Sequence, residues 1–151
     1  MKTKTILLAG LIGAASALSS MAQVYSVNVV GFVNLTIPPG FSMISNPLNG
    51  TANTIGALLT GSGATVPSGT HVFKFDPNTS TFENNRFLSS SGWADPNMTM
   101  NPGEGVFIQN NSGASFTITF VGTVQTGALS LSMSAGYNIV SSQTPTGGAA
   151  R

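Results

Sequence analysis

Few side chains in this sequence could do chemistry: one histidine (His71), four carboxylates (Asp76, Glu83, Asp95 and Glu104) and one tryptophan (Trp93). A Ser-His-Asp hydrolase would have to use His71 as its base. That imidazole alternates with Phe73 and Phe75, the pattern of a residue packed on a strand or at its edge. Glycoside hydrolysis would need two of the acids facing each other roughly 5 to 9 Å apart across a cleft. Asp76 and Asp95 instead precede prolines, Glu104 follows Pro102-Gly103, and Glu83 lies in an expected hairpin, so all four read as solvated surface acids. A single histidine and no cysteine leave no zinc-binding set of those residues. Asp76-x-Asn78-x-Ser80 has the oxygen spacing that opens a calcium loop. Thr81 stands where that loop needs glycine and Phe87 where it needs glutamate, so a hairpin turn is the better reading. Gly103-Glu104-Gly105 lacks the following helix of a phosphate cradle. The expectation is no catalytic residue, no metal and no cofactor, with a fragment of a secreted hydrolase kept as a remaining alternative.

A binding role would rest on Trp93, which stands between Ser89-Ser90-Ser91-Gly92 and Ala94-Asp95-Pro96-Asn97. Held outward by that loop, its indole would stack on a sugar ring, with Asn85, Arg86 and Asn97 as hydrogen-bond donors. Those four residues form the candidate ligand site of a carbohydrate-binding module. The competing expectation is burial, because the one tryptophan of a small β-domain usually plugs an end of its core. Asn34, Asn49, Asn78, Asn97 and Asn110 each begin an Asn-x-Ser/Thr triplet, which a composition this rich in Asn, Ser and Thr produces by chance.

Strands must position these residues. Only 6% of the chain is charged, and polarity comes from Asn, Ser and Thr, which suit pleated faces and turns better than helices. Phe116, Ile118 and Phe120 alternate with Ser115, Thr117 and Thr119, so one face is buried and the other wet. Tyr25, Val27 and Val29 alternate with Ser26 and Asn28, after which Val30-Gly31-Phe32 shifts the phase as a glycine bulge would. His71 to Phe75 is expected to pair with Thr81 to Phe87 across the turn-forming Asp76-Pro77-Asn78-Thr79-Ser80. Asn101-Pro102-Gly103-Glu104 fits a type II turn feeding a strand from Gly105 to Gln109. Asn53 is placed to cap one short helix over 53–59, which Gly61-Ser62-Gly63 ends. The spacing of strands and turns predicts an all-β fold, an antiparallel β-sandwich or open barrel-like sheet.

The chain opens with a basic Met1-Lys2-Thr3-Lys4-Thr5, an apolar run from Ile6 to Leu18 and a small-x-small Ser20-Met21-Ala22, which together predict a signal peptide over 1–22. The apolar run is shorter than the roughly 20 residues of a membrane span. No span is expected after cleavage near Gln23. Lys2 and Lys4 leave with the leader, so Lys74, Arg86 and Arg151 face Asp76, Glu83, Asp95 and Glu104, a net charge of −1. No basic surface remains to neutralise a run of phosphates, so nucleic acid is not an expected partner. An exported chain without cysteine relies on packing and strand pairing, consistent with periplasm, cell surface or medium.

Leu35-Thr36-Ile37-Pro38-Pro39-Gly40-Phe41-Ser42-Met43-Ile44-Ser45 is echoed 96 residues later by Leu131-Ser132-Met133-Ser134-Ala135-Gly136-Tyr137-Asn138-Ile139-Val140-Ser141. A Val-Gly pair precedes both copies, at Val30-Gly31 and Val121-Gly122. The expected organisation is a β-module over 23–126, followed over 127–151 by either the start of a second, truncated repeat or a closing strand. Val24 to Val33, Gly40 to Asn49, Gly92-Trp93 and Pro102 to Ile108 resemble a family of exported β-proteins of verrucomicrobial-type bacteria. The Gly-aromatic and Asn-Pro-Leu pattern followed by Pro-Gly-x-Gly is similar to a repeat of bacterial cell-surface β-sandwich modules. This resemblance implies fold and export, and no reaction. The expected function is an exported, non-catalytic module with a structural or surface-interaction role, its partners other β-modules or cell-surface components. Glycan is the partner under the carbohydrate-binding alternative.

Overall fold

The structure, a computed structural model, describes residues 29–61 and 63–145. The expected leader at 1–22, the Tyr25 to Asn28 part of the first strand and the last six residues lie outside the described residues. The protein is all-β, with two antiparallel sheets. One is a ribbon of β1 (Val30–Ile37) and β7 (Phe116–Thr123). The other holds β2 (Gly40–Ser45), β3 (His71–Asp76), β4 (Thr81–Leu88), β5 (Gly92–Trp93) and β6 (Gly105–Asn110), side by side in the order β2-β6-β3-β4-β5. Neither sheet closes into a barrel.

Alternation creates the core. Ile118 and Phe120 of β7 and Ile37 of β1 are buried, as are Ile44, Val72, Val106 and Ile108 from the larger sheet. Each such side chain contributes about 1.5 to 3 kcal/mol of transfer free energy. The helical expectation is met by a single π-helical turn, Gly56–Thr60, which buries Leu58 and Leu59. Its start differs from the expected cap. Thr54 Oγ1 accepts the Ala57 N–H at 3.4 Å, whereas Asn53 is engaged elsewhere: its Oδ1 accepts from Gly50 N–H (3.0 Å) and Asn46 Nδ2 (3.2 Å).

The β3–β4 hairpin forms as the alternation predicts, Asp76 pairing with Thr81 across four loop residues. The Pro-Gly turn also forms, with Gly103 at φ +87° and Glu104 N–H donating to Asn101 C=O at 2.9 Å. The expected bulge at Gly31 is absent. Pairing runs one to one from Val30↔Thr123 to Ile37↔Phe116, and Phe32 projects into solvent at 73% exposure. Gly31 lies opposite Gly122, and it is space rather than phase that the pair provides, since the Leu48–Gly50 loop passes directly beneath.

The first copy of the repeated segment is the end of β1, a turn with Gly40 at φ +93°, and β2. The second copy does not repeat that pair of strands. Gly136 keeps a positive φ of 96°, but the segment makes only one ladder bridge, Val140 with Glu104, joined by Gly105 N–H to Ile139 C=O (2.9 Å) and Ser141 N–H to Gly103 C=O (2.8 Å). Tyr137 and Met133 remain 85% and 67% exposed.

Candidate functional site

The residues proposed around Trp93 do not converge. Successive side chains of a strand point to opposite faces. Asn85 therefore joins Trp93 on the core side while Arg86 projects from the other face, paired across from His71. Trp93 is only 6% exposed, its ring 5.2 Å from that of Phe87, so it presents no face for a sugar to stack on. Its Nε1–H is buried and has no partner among the described residues. Asn85, at 1% exposure, clasps the following loop: its Oδ1 accepts the Asp95 N–H at 3.0 Å and its Nδ2 donates to the Asp95 C=O. Asn97 is exposed in that loop, its N–H donating to Asp95 Oδ1 at 2.9 Å. These contacts hold the end of the core together.

His71, Lys74, Asp76, Asp95 and Glu104 each have a local structural partner. His71 stacks on Phe73 with centroids 5.8 Å apart and places Nδ1 2.8 Å from Asn84 Oδ1. Lys74 Nζ bonds Glu104 Oε2 at 3.1 Å and the Thr99 C=O at 2.7 Å, while Glu104 Oε2 also accepts the Asn101 N–H at 2.8 Å. Glu83 is exposed opposite Lys74. Among the described residues no three His, Asp or Glu side chains gather as a metal would require.

Asp76 is turned onto its own hairpin. The Asn78 N–H donating to its Oδ1 (2.9 Å) is the main influence holding its carboxyl below the ordinary value of 3.8, helped by the Thr79 hydroxyl on Oδ2 (3.1 Å) and the Asn78 amide. A folded-state value below the unfolded one means that the turn's stabilisation is complete above the unfolded value and is lost as pH falls through the folded one. The Asn78 and Thr79 amide resonances should therefore shift in an acid titration with a midpoint below 3.8. A midpoint at or above that value would show that the contacts do not form in solution.

The outer face of the five-stranded sheet is the unexpected feature. Pairing places Phe41, Gln109, His71 and Arg86 in one row across β2, β6, β3 and β4, and Met43, Phe107, Phe73 and Asn84 in the next. Phe75 and Phe82 follow as a cross-strand pair. Phe41, Met43 and Phe82 are 64%, 63% and 48% exposed although they sit on regular, paired strands. The rings brace one another: Phe41–Phe73 centroids are 6.0 Å apart, Phe82–Phe107 5.8 Å and Phe75–Phe82 5.1 Å, the last two edge to face. Phe41, Phe73, Phe82 and Phe107 line a shallow groove of about 520 Å3 with no polar atom in its wall. At one end Ile139 of the C-terminal segment crosses over Gly105, where any side chain would collide with it.

This platform was readable in one respect. A strand with one wet face alternates, but Val106-Phe107-Ile108 and Val72-Phe73 are continuous apolar runs, the mark of a strand apolar on both faces. Only the pairing register reveals that the phenylalanines of separate strands share one surface.

No helix among the described residues is long and apolar enough to cross a membrane. No family model, curated protein or solved structure matches this sequence.

Proposed function

We propose that this chain is an exported, non-catalytic β-module that works by surface interaction, and that its interacting surface is the aromatic outer face of the five-stranded sheet. The observation that carries this reading is exposure on regular strands: large apolar rings, braced at 5 to 6 Å and left uncovered by the other described residues. Scattered apolar residues are ordinary on a protein surface, whereas these rings are contiguous on one sheet face and bordered by polar residues, as apolar contact sites are. The non-catalytic half rests on the employment of His71, Asp76, Asp95 and Glu104 in local structural contacts, with Glu83 exposed on its strand. Export rests on the leader-like residues 1–22.

The test uses protein recovered outside the source cells, whose chain is expected to begin near Gln23. Replacing Phe41 and Phe82 together by serine should reduce its binding to isolated cell envelopes at least tenfold. Melting should move by no more than about 3 °C, because substitutions at exposed positions usually cost under about 0.5 kcal/mol each. Unchanged envelope binding in the double variant would remove the outer face from the function, and a chain retained inside the cell with its leader intact would remove export.

A further inference from the structure

We infer that the ligand of this platform is a neutral glycan, one or two pyranose rings of which lie across Phe41, Phe73, Phe82 and Phe107. The inference rests on the reading above that the outer face is the interacting surface, and it names the class of partner. Three properties of the face select it.

The first is size. Strands lie about 4.8 Å apart and same-face residues about 6.7 Å apart, so four strands by three rows span about 14 by 13 Å, on the order of 200 Å2. A stable protein interface buries about 800 Å2 on each partner. The patch is too small to hold a folded protein and large enough for a short run of sugar rings.

The second is charge. Single-stranded nucleic acid also stacks on aromatic sheet faces, but it needs a cationic track for its phosphates. Arg86 is the one full cation in the rows of this face, because Lys74 points to the opposite face and is held by Glu104. The residues after the leader carry a net charge of −1. An uncharged ligand fits this field.

The third is the rim. Gln109, Asn84 and Arg86 border the rings from the adjoining positions of the same rows. An acyl chain has no use for such donors and would strip water from them without return. A pyranose has both surfaces needed: axial C–H bonds whose slight positive charge suits the negative face of an aromatic ring, and equatorial hydroxyls at its edge for amides and guanidinium. The rings are already in place through their edge-to-face contacts, so little side-chain freedom is lost on binding.

The test is affinity electrophoresis and titration calorimetry of the full chain against a panel of neutral polysaccharides (laminarin, xyloglucan, mannan, soluble starch, hydroxyethylcellulose), with polygalacturonate and single-stranded oligonucleotide as charged probes. At least one neutral glycan should retard the protein. Phe41→Ser and Phe82→Ser should each weaken that binding more than tenfold, and Gln109→Ala severalfold, with Tm held near that of the parent. Phe32→Ser, on the outward face of the other sheet, should leave binding unchanged. Blank neutral probes, or retardation that survives both phenylalanine changes, would overturn the inference, as would preference for either charged probe. If envelope binding depends on Phe41 while all neutral glycans are blank, the outer face remains the interacting surface and the glycan assignment alone falls. If envelope binding is also indifferent to Phe41, both fall.

Discussion

Replacing Asn46 by alanine is expected to destabilise the protein by about 3 kcal/mol, seen as a fall in Tm of about 10 °C. Asn46 is fully buried. Its Oδ1 accepts the Leu48 N–H at 3.1 Å, and its Nδ2 donates to Met100 C=O at 2.9 Å and Asn53 Oδ1 at 3.2 Å. The side chain thus ties the loop after β2 to residues 54 positions away, in the segment that leads to β6. Alanine would leave a buried N–H and a buried C=O unpaired, and each such orphan costs about 1 to 3 kcal/mol. Asn46→Asp separates hydrogen bonding from packing. The carboxylate keeps the acceptor for Leu48 but turns a negative charge toward the Met100 and Asn53 oxygens, which raises its folded-state pKa above the unfolded value. Its neutral form can donate, so stability should be present at low pH and lost as pH rises through the folded-state pKa. Denaturant unfolding of parent and both variants at pH 4.5 and pH 7 reads this out. A cost below about 1 kcal/mol for alanine would mean that water takes over the vacated partners.

Asn46 belongs to a group that the sequence conceals. Asn85 clasps the Asp95 backbone, and Asn110, 2% exposed, accepts from Ser112 N–H (2.9 Å) and donates to Ala114 C=O (2.8 Å). In a chain this rich in asparagine nothing local separates the buried clasps from the solvated ones, such as Asn97. What was legible is what local rules decide. Alternation identified β7 and both strands of the β3–β4 hairpin, and Pro102-Gly103 identified a turn that needs φ > 0 at its third residue. Long-range placement was not legible. The chain leaves the small sheet at Ile37, turns through Pro38-Pro39 and enters the large one at Gly40, so consecutive strands find partners in β7 and β6. No property of residues 30–45 specifies that choice.

The same division explains the site. Rarity drew the carbohydrate reading to Trp93, yet parity places it inside. Trp93 pairs with Phe87, and Phe87 shares the face of Asn85, which pairs with the buried Val72. The phenylalanines that do reach solvent are common residues in runs that read as core. Phe41 and Ile44 lie on opposite faces of β2, at 64% and 4% exposure, although both look like core positions in the sequence. Strand register was needed to assign them.

Gly122→Val is expected to prevent folding, and Gly122→Ala to cost about 3 kcal/mol or more, while Gly31→Ala, at the residue paired directly opposite, should change stability by less than about 1 kcal/mol. The two glycines share a face of the β1–β7 ribbon but meet different atoms. A Cβ on Gly31 would find side-chain methyls, Val124 Cγ2 at 3.4 Å and Leu48 Cδ2 at 3.5 Å, which are ordinary contacts or nearly so. A Cβ on Gly122 would lie 2.6 Å from the carbonyl carbon of Asn49 and 2.8 Å from the Gly50 nitrogen. That backbone cannot step aside, because Asn49 and Thr123 exchange both ladder bonds, at 3.0 and 2.9 Å. Yielding would break them and loosen the loop that carries Leu48 into the core. Neither glycine has a positive φ, so alanine adds no backbone strain at either site, and its lower unfolded-state entropy favours both variants equally. The difference between the two alanine variants therefore isolates the close approach of the Asn49–Gly50 backbone to β7. Equal costs in urea unfolding would place that loop away from the ribbon and return Gly31 to the role of a bulge.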